Sequence, residues 1–571
     1  MDTDLNSDDN KQGNVDLSGK PKIAYFSMEI GIDENIPTYS GGLGVLAGDT
    51  IKSCADLNIP LIGITLLSEK GYFYQKIDEN GNQIELPINF SVDSFLTLLP
   101  KKTSVTIEGR DVKIQIWMYN YKGIGGYNVP VFFLDTNVDG NSKWDRELTK
   151  YLYGGDKKYR LAQEIVLGVG GVRAVKVLGY TTIDRYHMNE GHAAFGTLEL
   201  YNRFNDVEKV REQCVFTTHT PVAAGHDQFD LQMAKSMLGS LLPDFILDDI
   251  TFENKLNMTR LALFFSHYVN GVAKKHGEVS RMMFPGHSID SITNGIHTTS
   301  WVSEPFQRLF DKHMPGWRSD PYILRSAFSI SKEEIWNAHM EAKRELINFV
   351  NTRYNIGMNY DDFTIGFGRR QTAYKRPDLL LSDPDKLIEI SEKVGPMQII
   401  YAGKAHPKDT TGKESIRKIH QIMKSVNSMN KEVKIVYIHN YDIGIGKMMV
   451  SGVDLWLNTP RRPYEASGTS GMKAACNGVP QFSTLDGWWI EGCIENITGW
   501  SIGPEKTEEK ESDDQIDKYD LYEKLESWIL PKFYKDRDNW IRTMRSCIAI
   551  NASFFNTNRM IQQYVLNAYF R

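Results

Sequence analysis

Short apolar runs recur along the chain in two series, and longer stretches of helical character separate them. The first series holds KIAYFSMEI (22–30), IPLIGITLL (59–67), VPVFFLDTN (129–137) and VFTTHT (215–220), with helix-like stretches at 160–178 and 257–275. The second follows a charged helical stretch at 331–354 and holds FTIGFGRR (363–370), MQIIYAGKA (397–405), VKIVYIHN (433–440), DLWLNTP (454–460) and VPQFSTLDG (479–487). This alternation predicts an α/β fold with largely parallel sheets. Two series in 571 residues exceed what one hydrophobic core supports, so two Rossmann-like halves are expected. Ligands of such sheets bind at the carboxyl ends of the strands, which places a cleft between two facing halves. The expected division is a flexible acidic tail at 1–20, an amino-terminal half at 21–300, a carboxyl-terminal half at 301–545 and a final helix at 546–571 that could pack back on the first half.

Composition narrows the function classes. With 41% hydrophobic and 24% charged residues the chain is an ordinary globular one, and disordered or collagen-like structure is excluded. The net charge of −6 gives no general attraction to nucleic acid or an anionic membrane, so any anion must be held by a local site. Five cysteines, an odd number with no CxxC pair, read as reduced thiols of a cytoplasmic protein. Residues 1–20 carry five aspartates and no apolar core, and no run of about 18 apolar residues occurs, so neither a signal peptide nor a membrane span is expected. The charge-dense run 505–518 reads as a solvated loop.

Three segments carry chemistry. TYSGGLGVLAGD (38–49) puts Gly41, Gly42 and Gly44 between the first strand and a helix-like run. Glycines there let backbone N–H groups approach an anion at a helix start, and a tight turn is the equal alternative. In YEASGTSGMKAACNG (464–478), Ser467, Thr469 and Ser470 are N-cap formers ahead of a short helix, with Lys473 in or near its first turn. A lysine beside a phosphate-binding turn suggests pyridoxal phosphate held as a Schiff base; a surface lysine on a capped helix is the bland alternative. GFGRRQTAYKRPDLLLSD (366–383) clusters Arg369, Arg370, Lys375 and Arg376 just past a strand end, either as an anion site or as a solvated face. Lys404 in GKAHP shares that ambiguity. The histidines at 187, 192, 219 and 226 invite a metal reading, but no HExxH helix or cysteine joins them, so no metal is expected and hydrogen bonding to a polar ligand is preferred.

Taken together these segments resemble the α-glucan phosphorylases, the glycogen, starch and maltodextrin phosphorylases of the GT-B class, from about residue 22 to 500. EASGTSGMK is similar to the family's pyridoxal-lysine signature, GGLG to its phosphate loop and RRQTAYK to its basic phosphate-binding run. NMTRLALFFSHYVNGVAKKHGE (257–278), ITNGIHTTSW (292–301) and NYDIGIGKMMVSGVDL (440–455) follow family blocks in order. The resemblance implies that Lys473 bonds the cofactor while Thr469, Ser470, Arg369 and the Gly42 amide hold its phosphate, with Tyr441 nearby. Arg370 and Lys375 would bind the substrate phosphate. Glu465, Ser467 and Gly468 match positions that contact sugar hydroxyls, and Asn294, His219 and Asn189 match positions lining the glucosyl pocket; His219 is also placed among the catalytic groups. Departures are Ser470-Gly471 where animal enzymes have Gly-Asn, Arg369 in place of a Lys, Cys476 in place of Leu or Met, and HMNEGH in place of LNDTH, which leaves the roles of Glu190 and His192 open. The length is that of the short bacterial and archaeal members, with no room before the first strand for the regulatory segments of larger relatives.

What the family implies is phosphorolysis of an α-1,4-glucan by inorganic phosphate to α-D-glucose 1-phosphate with retained configuration, the cofactor's phosphate relaying a proton. Family members are commonly homodimers. A nucleotide-sugar glucosyltransferase of the glycogen synthase kind is the alternative of different reaction class, and it has no use for Lys473. A catalytically silent glucan-binding protein is a further one, disfavoured by intact Gly42, Arg370, Lys375 and Lys473.

Overall fold

The computed structural model describes residues 22–429, 432–504 and 511–570; the expected tail at 1–20 lies outside the described residues. The first series builds a nine-stranded sheet from β1 (Ile23–Ser27), β2 (Leu61–Leu66), β3 (Thr97–Ile107), β4 (Arg110–Lys122), β5 (Asn128–Asp135), β6 (Arg185–Asn189), β7 (Cys214–Thr217), β8 (Tyr268–Gly271) and β9 (Asp290–Ser291). Their spatial order is β9-β8-β7-β6-β1-β2-β5-β4-β3. Pairing is parallel from β9 to β5 and antiparallel from β5 to β3. All five residues of β1 are buried, as a strand covered on both faces requires. β4 instead alternates, burying Val112, Ile114, Ile116 and Met118 on one face only, and so β3 and β4 did not register among the apolar runs.

The second series forms a six-stranded parallel sheet from β10 (Phe363–Gly368), β11 (Met397–Ala402), β12 (Val433–Ile438), β13 (Leu455–Asn458), β14 (Gln481–Thr484) and β15 (Gly499–Ile502). The order β12-β11-β10-β13-β14-β15 reverses at β10, the topological switch point at which doubly wound sheets bind ligands. Five helices matter below: α1 (Gly42–Asp56), α2 (Lys332–Tyr354), α3 (Ile443–Gly452), α4 (Ser470–Ala475) and α5 (Thr557–Tyr564). Ser331 caps α2 through the Glu334 amide, which is why the helical stretch starts there.

Two expectations fail. The stretch 257–275 is not one helix: a helix at Met258–Phe264 gives way to β8 and another begins at Lys274. Val269 pairs in register with Phe216 of β7, and this sheet pairing overrides the helical spacing of the flanking apolar residues. The run 505–518 is not all loop: Asp513 accepts from the amides of Gln515 and Ile516 and starts a helix at Asp514, while 505–510 lie outside the described residues.

The halves interlock. A hairpin at Tyr74–Ile77 and Gln83–Leu86 reaches from the first half: Gln75 donates to Gly403 O at 2.8 Å, and the Ala405 amide donates to Gln83 Oε1 at 2.9 Å. In return, Met560, Ile561, Tyr564 and Tyr569 share a core with Ile23, Tyr25, Ile51 and Val215. Tyr569 Oη lies 2.7 Å from His187 Nδ1. Among the described residues no helix is long and apolar enough to cross a membrane, and all five cysteines are free thiols.

Candidate active site

The glycine loop leaves β1 and enters α1 with Gly41 as N-cap. A Cβ built on Gly41 or Gly42 would meet nothing within 4 Å, whereas one on Gly44 would come within 2.7 Å of Glu29 Oε2 and one on Gly48 within 2.1 Å of Gly31 O. The later glycines therefore serve packing, and the first two face open space at a helix start, where an anion can reach backbone N–H groups. Glu29 braces the loop. It accepts from the amides of Ser40 at 2.5 Å and Gly41 at 3.2 Å, and from Tyr153 Oη at 2.8 Å. Burial raises its pKa against these hydrogen bonds.

Lys473 sits in the single full turn of α4, and its ammonium lies 3.8 Å from the centroid of the Trp301 ring. Among the described residues it makes no ion pair, and burial lowers its pKa to about 8, with Asp49 opposing. A buried amine kept easy to deprotonate is what covalent capture of an aldehyde needs. Trp301 is itself fixed, donating from Nε1 to Asp49 Oδ2 of α1 at 2.8 Å. Asn477 Nδ2 donates to both Trp301 O and Lys473 O, fixing the lysine turn to Trp301, and through the Trp301–Asp49 bond to the first half. Of the neighbours expected to hold a phosphate, Ser470 Oγ is already engaged by Trp456 Nε1 at 3.0 Å, and the Thr469 side chain makes no cap bond. A Cβ on Gly471 would fall 1.3 Å from Gln481 Oε1 and 3.0 Å from the Trp488 ring, so a larger residue at this position, which departs from the animal pattern, requires the Gln481 side chain to move.

The basic run follows β10, at the switch point. Arg369 donates to Glu465 Oε2 at 2.6 Å, and Lys375 Nζ bonds the same oxygen. Burial alone would raise the Glu465 carboxyl, but the two cations hold it at about 2. Glu465, expected toward a sugar, is thus a shared anion between two of the expected phosphate binders. Arg370 is different: its side chain is exposed in the cleft and, among the described residues, no hydrogen bond or ion pair engages it. Burial of its surroundings works against its charge, yet Tyr374, Tyr72, Glu29 and Tyr153 outweigh that and raise its pKa. Arg376 turns away, into Asp514 and Asp517, as scaffold. Lys404 donates to Phe73 O. Tyr441 packs on the strand end, where a Cβ on Gly368 would lie 3.2 Å from its Oη.

On the other side of the cleft, parallel β6, β7, β8 and β9 end side by side and carry Asn189, His219 and Asn294 just beyond or at their carboxyl ends. His219 Nε2 lies 2.6 Å from Asn189 Oδ1, and burial lowers the imidazole's pKa to about 3, so it is neutral near pH 7. Glu190, at the left-handed φ of 73°, accepts from the amides of Gly191 and His219 and from Thr220 Oγ1, a loop-bracing role. His192 faces Asp227 at 3.5 Å. Asn294 Oδ1 is buried without a partner among the described residues. Ser467 Oγ donates to Gly468 O at 3.1 Å, and Gly468 takes φ +75°, turning that loop under Trp488.

Sequence reasoning missed Glu29, the Asp49–Trp301 pair and Asp486. The last accepts from the amides of Glu465 and Gly487, and burial pushes its pKa up to about 7. Glu29 had a signal, a lone carboxylate inside the apolar run 22–30; Asp49 and Asp486 had none, because the partners that tie them to the site, Trp301 and Glu465, are distant in sequence.

Two α/β halves built on largely parallel sheets, with a buried lysine turn and a basic run beyond the strand ends of the second, define an enzyme of the GT-B glycosyltransferase class. Residues 244–499 match the family described as carbohydrate phosphorylase. The chain is 38% identical to a maltodextrin phosphorylase of Thermococcus litoralis over 95% of this chain and 70% of that one. It is 32% identical to a glycogen phosphorylase of Aquifex aeolicus over 98% and 88%, and 33% identical to one of Mycobacterium tuberculosis over 96% and 70%. The chain belongs to the carbohydrate phosphorylase family.

Proposed function

We propose that this protein cleaves α-1,4-glucans with inorganic phosphate and releases α-D-glucose 1-phosphate with retained configuration. The observation that carries the reading is Lys473, a buried amine without a carboxylate partner, set over Trp301. The names of its relatives, maltodextrin and glycogen phosphorylase, support the substrate class. Lys473 would hold pyridoxal 5′-phosphate, with Thr469, Ser470, Arg369 and the Gly42 amide toward its phosphate. The open space over Gly41 and Gly42 fits that group. When bound, it supplies a phosphate able to give and take a proton beside the substrate phosphate.

The chain's own residues do the rest. Arg370, free in the cleft, takes the substrate phosphate by charge-assisted contact, and Lys375 joins it as Glu465 is shared toward the sugar. Asn189, His219, Asn294, Ser467 and Gly468 take the glucosyl hydroxyls. The neutral His219, with Nε2–H directed to Asn189 Oδ1, offers Nδ1 without adding charge. Interlocked halves keep water from the sugar, so phosphate rather than water is the acceptor. In this reading the glucosyl site belongs to residues 21–300 and the phosphate site to 301–545, and the enzyme is a cytoplasmic homodimer like its family. Phosphate-dependent release of glucose 1-phosphate from maltooligosaccharides tests it; turnover only with a nucleotide sugar would replace it with the synthase reading.

A further inference from the structure

The segment that carries Asn294 is held from the far end of the chain. Arg559, in the first turn of α5, makes no ion pair among the described residues. Its guanidinium instead donates to backbone carbonyls: Nη1 to Thr293 O at 2.6 Å and Nη2 to Asn294 O at 2.9 Å. Gln563 Oε1 accepts from Nη1 at 2.8 Å and Phe554 O from Nε at 3.0 Å, so the planar fork is itself oriented. The backbone runs alongside: the Ile296 amide donates to Phe555 O, and the Thr557 amide to Ile296 O. A Cβ on Gly295 would stand 2.2 Å from the Asn556 carbonyl carbon, so only glycine permits this approach.

Thr293 C=O and Asn294 C=O belong to the two peptide planes on either side of the Asn294 Cα. Pinning both planes sets the direction of the Cα–Cβ bond. The same Asn294 has a buried Oδ1 without a partner among the described residues, a polar group whose cost is recovered only when a ligand reaches it. We propose that Arg559 is a positioning residue for the sugar: its fork on the two carbonyls aims the Asn294 amide at a glucosyl hydroxyl of the bound glucan. The inference rests on the phosphorolysis reading above.

The test uses the cofactor-loaded full chain, maltooligosaccharide and inorganic phosphate. A lysine at 559 keeps the charge but cannot fork to two carbonyls. Arg559→Lys is expected to raise KM for maltooligosaccharide about tenfold, leaving KM for phosphate and the pyridoxal absorbance unchanged. Asn294→Ala should do the same, and the double variant should be no worse than Asn294→Ala within about twofold, because both changes remove one interaction. Effects that multiply in the double variant, or a KM for phosphate that rises equally, would overturn the proposal. Should Arg559→Lys not yield folded protein, Gln563→Ala, which only loosens the fork, should show the same selective and coupled rise at about two- to threefold. A Gln563→Ala enzyme with the wild-type KM counts against it. If the wild type itself releases no glucose 1-phosphate, the phosphorolysis reading has failed instead.

Discussion

The second sheet carries a buried lysine at each end, and the two are opposites. At its amino end, Lys343 of α2 donates to Asp454 Oδ2 at 2.6 Å and to Asp362 O at 2.7 Å; the same carboxylate takes His339 Nε2 at 2.8 Å and the Thr364 amide at 2.8 Å. At the carboxyl side, Lys473 has an aromatic face and no carboxylate in contact. Burial is nearly the same, at 0% and 8% exposure. What differs is the partner. A lysine paired to a buried carboxylate is bound into the scaffold, while burial without such a partner favours the neutral amine.

Breaking the carboxyl-side lysine should have the largest effect. Lys473→Ala is expected to abolish glucose 1-phosphate release and the pyridoxal absorbance, while thermal unfolding of the apoprotein stays at or above the wild-type temperature, since an uncompensated buried charge is removed. A large drop in melting temperature would mean that Lys473 is structural like Lys343. At the other end the pattern inverts. Lys343→Met leaves Asp454 buried with one partner fewer and should destabilise by about 3–5 kcal/mol in denaturant unfolding, with cofactor binding retained in the folded fraction. Adding Asp454→Asn should restore part of that loss.

Arg370→Ala sharpens the contrast between free and engaged cations. Loss of a charge-assisted contact worth about 1.5–3 kcal/mol should raise KM for phosphate or lower kcat/KM by one to two orders of magnitude with the cofactor still bound. Unchanged phosphate kinetics would move the site elsewhere. The smallest effect is on pH. Only the neutral amine reacts with an aldehyde, and burial lowers the Lys473 pKa from 10.5 to about 8. Pyridoxal phosphate should therefore enter the apoprotein faster as pH rises, levelling off just above pH 8 rather than near 10.5. The same shift makes the unfolded chain bind the extra proton between those values, so apoprotein stability should gain a contribution as pH rises from about 8 to 10.5.

Much of this was legible in the sequence, and the division follows a physical line. Strands buried on both faces announce themselves as apolar runs, and the lysine turn announces itself through Ser, Thr and Gly at a helix start. β3 and β4 were silent because a half-solvated strand is half polar, and β8 was hidden by apolar neighbours at helical spacing. In the site, Lys473 and the basic run were local patterns. Trp301, Asp49 and Asp486 act across contacts that no local pattern encodes, and the locking of Glu465 by Arg369 and Lys375 spans 96 and 90 residues.

The return of α5 to the first sheet has a consequence for biosynthesis. Ser53 of α1 hydrogen-bonds Thr557 of α5 across 504 residues of chain. At a translation rate of ~5–20 residues per second, about 25–100 s separate the appearance of these two partners. Throughout that interval the nascent first half exposes the apolar face that Met560, Ile561 and Tyr564 will cover, and Asn294 lacks the guanidinium that orients it. The earliest-made half is thus the last to be finished, and a ribosome stalled before residue 557 carries a sheet that chaperones should hold and that no glucan should bind.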